Sequence, residues 1–194
     1  MNERIFLAQL EAANPAELAQ LLRRPTVEEQ RVLEVYFGPA RLERLRSLAL
    51  STTARRAATR GNVAVLHGIM GGELTVFPPQ KSSQRVWLNF PRIAIGAVGW
   101  LRMTAEAQSQ FDVRPTVILK KWYGEQLLGL AAEGWNVQSF YYDWRRDLAE
   151  IADALRQQID AWFGPDAAVN RHPALRRALL FRPRRSDGLG LDFQ

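Results

Sequence analysis

A glycine-rich segment begins at His67, where the chain runs His-Gly-Ile-Met-Gly-Gly-Glu-Leu over residues 67–74. Backbone N–H groups held in a tight loop can stabilise the negative oxygen that develops on the attacked carbonyl in acyl transfer. Glycines such as Gly68 suit such a loop because they permit unusual dihedrals and close approach of a substrate. The segment is therefore a candidate oxyanion loop, and an ordinary turn after a strand is the alternative.

A second group of polar residues, Asp143 and Arg145, follows the predicted strand at 135–142. A carboxylate and a guanidinium at this spacing can form a bidentate ion pair with further hydrogen bonds. A pair of this kind just beyond a buried strand is more often structural than catalytic. We therefore expect a structural ion pair rather than a catalytic dyad.

Three aromatic side chains, Trp87, Phe90 and Trp100, follow the glycine loop within a short segment. Aromatic side chains bury large apolar areas, and most of them simply pack in a core. The same three side chains could instead line a pocket for an acyl chain. Both interpretations stay open at this point.

Two short segments, at residues 62–66 and 135–142, predict strands that must position these groups, and the first is almost wholly apolar. The first run ends in glycines and suits a parallel strand covered on both faces. Residues 122–132 and 146–163 carry apolar side chains at helical spacing. The order strand, loop, helix, strand, helix predicts an α/β fold with a parallel sheet and crossover helices. Residues 73–119 are less regular and are broken up by prolines.

The first 60 residues predict helices, and we find no chemistry in them. Asn14 supplies a capping side chain before a proline and an acid, and Thr26 opens a capping box. Both features precede runs with apolar residues at helical spacing. The predicted organisation is a helical N-terminal extension over residues 1–60, an α/β part over residues 61–164 and a basic, irregular tail over residues 165–194.

Further motifs accompany the glycine loop: Val-Trp-Leu-Asn at residues 86–89 and Tyr-Asp-Trp-Arg at residues 142–145. With these motifs and the Tyr123 helix in this order, the chain resembles the lecithin:cholesterol acyltransferase-like family of α/β-hydrolases. That family includes lipases, phospholipases and acyltransferases. The resemblance covers roughly residues 62–160, about half of the chain, and Tyr-Asp-Trp-Arg is its most specific motif.

The resemblance implies a partial α/β-hydrolase fold, with the backbone N–H of Ile69 as oxyanion donor in a loop that includes Gly68 and Met70. It also implies that Asp143 and Arg145 organise the strand end and the neighbouring loops. The activity implied for the parent family is hydrolysis or transfer of an acyl group on a lipid or ester, with peripheral membrane contact as a further expectation. No cofactor and no metal are implied.

His67 is either a general base or a side chain that orients the loop. In α/β-hydrolases the base follows the nucleophile and the acid along the chain, which favours the second role. The family's serine lies in a Gly-x-Ser-x-Gly turn, and no such segment occurs in the 194 residues. The nearest approach, at Ser186, has arginine where the first glycine of this strained turn belongs. We therefore expect negligible catalysis and hypothesise a truncated or shifted reading frame near residue 165.

The amino-acid composition excludes several kinds of site and indicates the cellular location of the protein. The chain has no cysteine, which excludes disulfides, thiol nucleophiles and cysteine–zinc sites. Only two histidines, His67 and His172, argue against a histidine-rich metal site. No apolar run reaches the roughly 18–20 residues that span a bilayer, and the first residues do not resemble a secretory signal. We therefore expect a cytoplasmic protein.

The net charge of +6 is concentrated at one end of the chain. Residues 171–194 hold six arginines against two aspartates, a net charge of +4 that leaves the rest nearly neutral. Such a tail can bind phosphates, but it lacks the aromatic residues on which bases stack. The alternatives to a hydrolase fragment are a non-catalytic interaction module and, less favoured, nucleic-acid binding through the tail. The oligomeric state stays open.

Overall fold

A computed structural model describes residues 2–54, 59–80 and 82–165 of the chain. These residues form seven α-helices, one 3₁₀ helix and five strands. In chain order the elements are α1 (Glu3–Ala12), α2 (Pro15–Arg23), α3 (Val27–Phe37), α4 (Pro39–Ala54), β1 (Asn62–Leu66), β2 (Gly72–Val76), β3 (Gln84–Trp87), α5 (Phe90–Ala94), the 3₁₀ helix (Ala97–Leu101), β4 (Val113–Ile118), α6 (Lys120–Ala132), β5 (Asn136–Phe140) and α7 (Leu148–Phe163). None of the described helices is long and apolar enough to cross a lipid bilayer. Beyond Pro165 the predicted basic tail, with His172 and Ser186, lies outside the described residues.

Capping side chains set where helices α2 and α3 begin. Asn14 accepts hydrogen bonds from the backbone N–H groups of Ala16 and Glu17, and the Glu17 carboxylate accepts one from the Asn14 N–H at 2.9 Å. Thr26 and Glu29 form the same reciprocal pair at the start of α3. These bonds satisfy N–H groups that have no partner within the first helical turn. Both predicted caps are confirmed.

Strands β1 and β5 form a parallel pair, and the chain enters β5 from α6. Their register pairs Asn62 with Asn136 at one end and Leu66 with Phe140 at the other. The two asparagine side chains also bond each other at 2.9 Å. For this pair of strands, the predicted α/β arrangement is confirmed.

The sequence did not predict a second sheet, which is antiparallel and is formed by strands within residues 72–118. β2 lies between β3 and β4 and pairs with both in antiparallel register. Along β2, Glu73 and Thr75 alternate with Leu74 and Val76, and all of them are buried. A strand with buried polar residues lacks the apolar run of a central strand, so its pattern resembled a loop.

A buried polar cluster joins α1 to the sheet and to the start of α6. Glu11 accepts a hydrogen bond from the Lys120 backbone N–H at 2.9 Å, and Lys120 Nζ donates to the Glu11 carbonyl at 2.7 Å. Nearby, Glu73 accepts from the Thr116 hydroxyl at 2.6 Å and pairs with Arg85. Burial raises the pKa of Glu11 to about 6 and lowers the pKa of Lys120 to about 8, since charged forms lose solvation there. The position of α1 is therefore set by polar contacts as well as by apolar packing.

Helix α6 belongs to two hydrophobic cores at once. Leu128 packs with apolar residues of the N-terminal helices, whereas Leu127 packs with residues of β1, β4 and β5. Gly124 faces the N-terminal helices, and a Cβ there would make an ordinary van der Waals contact with Leu45, at 3.4 Å. A third core, between β2, β3 and the 3₁₀ helix, contains Leu74, Val76, Val86, Ala97 and Leu101. Helix α6 thus packs against both the N-terminal helices and the α/β part of the chain.

Replacement of Leu128 tests this shared helix. Leu128→Ala is expected to lower the free energy of unfolding by about 2–5 kcal/mol, because it leaves a cavity at a fully buried position. Gln126→Ala, at an exposed position of the same helix, should change it by no more than about 0.5 kcal/mol. Chemical denaturation followed by circular dichroism and by tryptophan fluorescence measures both. If the two probes report separate transitions in the wild-type chain, the cores do not depend on a common helix.

Candidate functional site

The candidate oxyanion loop lies where β1 ends, next to the end of β5. His67 is buried there, and its ring stacks on Tyr142 with centroids 4.1 Å apart. His67 Nε2 accepts a hydrogen bond from the Tyr142 backbone N–H at 3.1 Å. The other ring nitrogen, Nδ1, is 2.8 Å from the Gly68 carbonyl and therefore carries the proton that it donates. This arrangement requires a neutral imidazole.

The His67 ring has no nitrogen left for a substrate proton in this structure. Burial lowers its pKa below the ordinary value, against the smaller opposing effect of its bonds to Gly68 and Tyr142. The Tyr142 hydroxyl also donates to the His67 carbonyl at 2.6 Å. Of the two roles weighed for His67, the geometry fits the side chain that orients the loop and not the general base.

Two further side chains hold the loop from outside. The Tyr123 hydroxyl, from the first turn of α6, accepts a hydrogen bond from the Gly68 N–H at 2.9 Å. The Trp87 indole N–H donates to the Met70 carbonyl at 2.8 Å. Within the loop, the Gly71 N–H donates to the Gly68 carbonyl at 3.0 Å and closes a β-turn. The turn is thus tied to β3 and to α6.

The turn leaves two neighbouring backbone donors without a partner. Among the residues that the structure describes, none accepts a hydrogen bond from the N–H of Ile69 or from that of Met70. Both residues are exposed, Ile69 by 80% and Met70 by 45%. Met70 has a φ of 66°, which is uncommon for a residue with a side chain. Adjacent amides fixed in such a turn can bind an anionic oxygen.

The loop glycines serve the packing of the loop more than its dihedral angles. A Cβ on Gly71 would lie 2.6 Å from the Tyr123 hydroxyl oxygen and 2.9 Å from the His67 Cβ. A Cβ on Gly72 would overlap the His67 ring, which two hydrogen bonds and a stacking contact hold in place. Gly68 has an open side, with only the Tyr123 hydroxyl near its Cβ position. Gly71 and Gly72 are therefore needed to leave room for the side chains of His67 and Tyr123, rather than for a substrate.

Asp143 and Arg145 form the ion pair expected at the end of β5. Arg145 Nε and Nη2 donate to the two carboxylate oxygens of Asp143 at 2.8 and 2.5 Å, and both side chains are more than 90% buried. Arg145 Nη1 also donates to the carbonyl of Leu101, the last residue of the 3₁₀ helix, at 2.9 Å. The pair links the strand end to a neighbouring segment and leaves neither charge in contact with solvent.

The three aromatic residues of the predicted pocket lie in different environments. Trp87 and Trp100 are half-buried against the core between β2, β3 and the 3₁₀ helix, whereas Phe90 is 70% exposed. Trp87 makes an edge contact with Trp144, whose indole N–H donates to the Gly72 carbonyl at 3.2 Å. Two cavities of about 440 and 450 Å³ lie elsewhere, lined by residues of the N-terminal helices and of β5.

Sequence reasoning missed the role of Tyr123. The sequence pattern places it in a predicted helix and assigns it no contact, whereas its hydroxyl bonds the loop 55 residues earlier in the chain. One signal was present, since a half-buried tyrosine needs a hydrogen-bond partner for its hydroxyl group. The sequence could not say which partner that would be.

Comparisons of the chain with protein-family models, with curated proteins and with solved structures find no match.

The lowered pKa of His67 predicts how stability depends on pH. The folded chain disfavours the charged imidazole, so the unfolded chain binds more protons between the folded pKa and the ordinary value of 6.5. The free energy of unfolding should therefore fall as the pH falls below about 6.5. His67→Gln, whose amide group can both donate and accept, should be less stable at neutral pH and should flatten this part of the profile. Urea denaturation over a series of pH values measures both proteins.

Glu11 provides an internal check on that experiment. Its raised pKa of about 6 acts with the opposite sign, since the folded chain then binds the extra proton. This contribution is common to wild type and His67→Gln and cancels in their difference. If the difference between the two profiles stays constant below pH 6.5, His67 is not the neutral, buried group described above.

The two Asp-x-Arg pairs of the chain allow a matched test of the strand-end ion pair. Asp143→Ala should lower the free energy of unfolding by about 3–5 kcal/mol, because it leaves the Arg145 charge buried without its partner. Asp112 and Arg114 form a similar bidentate pair in an exposed position, so Asp112→Ala should have little effect. Thermal and chemical denaturation compare the two variants. Equal losses would show that burial does not distinguish the pairs.

Proposed function

We propose that residues 61–164 form the oxyanion-binding part of an ester-hydrolysing or acyl-transferring site of lipid metabolism. In this proposal the residues belong to a partial α/β-hydrolase fold, and the substrate is a lipid or another ester. The proposal depends on the turn at residues 68–71. Two neighbouring N–H groups of this turn donate no hydrogen bond to any described residue.

The position of the turn supports this function. It follows the C-terminal end of a parallel strand, where ligands of α/β sheets usually bind. The buried Asp143–Arg145 pair holds the end of the neighbouring strand β5. Tyr123 and Trp87 bond the turn from both sides, so its amides would need little rearrangement to meet a developing negative charge.

The chemistry that these residues can supply is binding and orientation of the carbonyl oxygen. The N–H groups of Ile69 and Met70 would donate to this oxygen, and donors aimed at a developing oxyanion lower the barrier to attack. Attack itself needs a nucleophile and a base. His67 uses both ring nitrogens in hydrogen bonds, and the sequence contains no Gly-x-Ser-x-Gly segment. We therefore propose substrate-oxygen binding with negligible turnover by this chain.

The test replaces the donor without disturbing the turn. Hexanoate presents a carboxylate in place of the oxyanion, and it should shift the amide proton signals of Ile69 and Met70 downfield in a nuclear magnetic resonance titration. Ile69→Pro removes one N–H at the second position of the turn, where proline is favoured. It should weaken hexanoate binding at least about tenfold, the usual effect of losing a hydrogen bond to a charged group.

Two controls accompany this titration. Ile69→Ala keeps the N–H and should bind hexanoate with nearly the affinity of wild type, and hexanol should not shift the two amide signals. Equal binding by Ile69→Pro and Ile69→Ala would contradict the proposal. So would turnover of a short-chain chromogenic ester that survives Ser186→Ala, because the chain would then hold a nucleophile that we have not recognised.

A further inference from the structure

The segment that carries α5 and the 3₁₀ helix, residues 90–102, has an unusual charge pattern around it. Between Glu73 and Glu106 the sequence contains no acidic residue, whereas it contains Lys81, Arg85, Arg92 and Arg102. Arg85 pairs with Glu73, and residues 90–102 themselves carry two cations, Arg92 and Arg102, and no acidic residue. The overall charge of the α/β part, which is nearly neutral, conceals this concentration.

The same segment exposes large apolar side chains. Phe90 is 70% exposed, Ile95 is 81% exposed and Val98 is also exposed. Ala97 and Leu101 of the same segment are buried against β2 and β3. The segment therefore has two apolar side chains in the core and three large ones in contact with water, where their exposure is unfavourable unless another surface covers them.

The exposed side is held in place rather than loose. The Asn89 side chain accepts a hydrogen bond from the Arg92 N–H at 3.2 Å and caps α5. At the other end, the Leu101 carbonyl accepts from the buried Arg145 at 2.9 Å. With Ala97 and Leu101 in the core, the apolar side chains have a fixed support from which to project.

The arginines of the segment remain without acidic partners. Arg92 Nη1 bonds the neutral side chain of Gln84. Arg102 is exposed, and no described residue forms an ion pair with it. Three nearby acidic groups already have partners, in the pairs Glu73–Arg85, Asp112–Arg114 and Asp143–Arg145. Glu106, four residues beyond Arg102, is exposed and forms no ion pair with a described residue. Two positive charges thus flank the apolar side chains and are available to an anionic surface.

We propose that residues 90–102 dock on an anionic lipid surface, with Phe90, Ile95 and Val98 inserted among the acyl chains and Arg92 and Arg102 at the level of the headgroups. Apolar side chains flanked by arginine are the combination that binds such an interface. Three separate apolar side chains can insert among fluid acyl chains, because a lipid layer needs no surface that is complementary in shape to them. A protein interface uses about 20–30 residues on each side, far more than this segment presents.

Lipid docking and oxyanion binding use different parts of the molecule. Docking requires side chains of residues 90–102, whereas oxyanion binding requires the backbone N–H groups of Ile69 and Met70. If both are correct, the lipid surface lies near the turn, since Trp87 of the adjoining strand bonds Met70. Each can fail without the other, because Ile69→Pro removes an amide and leaves residues 90–102 unchanged.

The experiment is co-sedimentation of the full chain with vesicles. Vesicles of phosphatidylcholine with phosphatidylserine should retain the wild-type chain, and vesicles of phosphatidylcholine alone should retain less of it. Ile95→Glu should weaken binding about tenfold or more, because it removes an inserted apolar side chain and adds a repelled charge. Val35→Glu is the matched control, since Val35 on α3 is 84% exposed and receives the same new charge.

A second pair of variants tests the arginines. Arg92→Gln with Arg102→Gln should weaken binding about fivefold for each arginine removed, and high salt should reduce this difference. Arg4→Gln with Arg31→Gln removes the same charge from exposed positions of α1 and α3 and should have a much smaller effect. Circular dichroism verifies that all variants fold.

The basic tail is unchanged in every variant, so attraction through the tail affects all of them equally. If Ile95→Glu and Val35→Glu bind the anionic vesicles equally well, the proposal is overturned, even when the wild-type chain binds them. Absence of vesicle binding by the wild-type chain would also overturn it and would leave a protein partner as the explanation for the apolar side chains. A loss confined to the two variants of residues 90–102 would support it.

Discussion

The whole structure depends on one helix that must satisfy two hydrophobic cores. Leu127 and Leu128 are neighbours on α6, yet they pack into different clusters. The first residue of the helix, Lys120, bonds Glu11 of α1, and its first turn supplies the Tyr123 hydroxyl to the loop after β1. Movement of this helix would therefore disturb the N-terminal helices, the parallel strands and the loop together. Because burial favours only arrangements that cover both faces, the helix has little freedom to shift.

The loop after β1 shows how buried polar groups impose a single arrangement. Both hydrogen bonds of the His67 ring go to backbone groups, and one of these groups belongs to Tyr142, 75 residues away. An unpaired polar group inside the chain would cost free energy, so the ring and the strand ends are held in a fixed relation. The glycines at 71 and 72 make room for this contact. What remains unpaired is a pair of backbone amides at the surface, where water or a ligand can accept from them.

Much of the candidate site followed from local patterns. The spacing of Asp143 and Arg145 predicted an ion pair, and the apolar runs around them predicted the strands and helices that carry it. The antiparallel sheet did not follow, because Glu73 and Thr75 alternate with apolar residues and are buried all the same. The aromatic residues were the least predictable, since Trp87 and Trp100 pack against one core whereas Phe90, on the same short segment, is exposed.

The sequence by itself determined the features that depend on near neighbours. Caps at Asn14 and Thr26, helices at the expected spacing and the paired charges at 143 and 145 involve residues a few positions apart, so their types and order are sufficient. Only the tertiary structure decided which groups are joined over long distances, such as Tyr123 with Gly68 and Arg145 with Leu101. It also decided which groups are left open, namely the amides of the turn and the apolar side of residues 90–102. The reason is physical: exposure and hydrogen-bond satisfaction depend on what packs against a residue, and that is set by the whole chain.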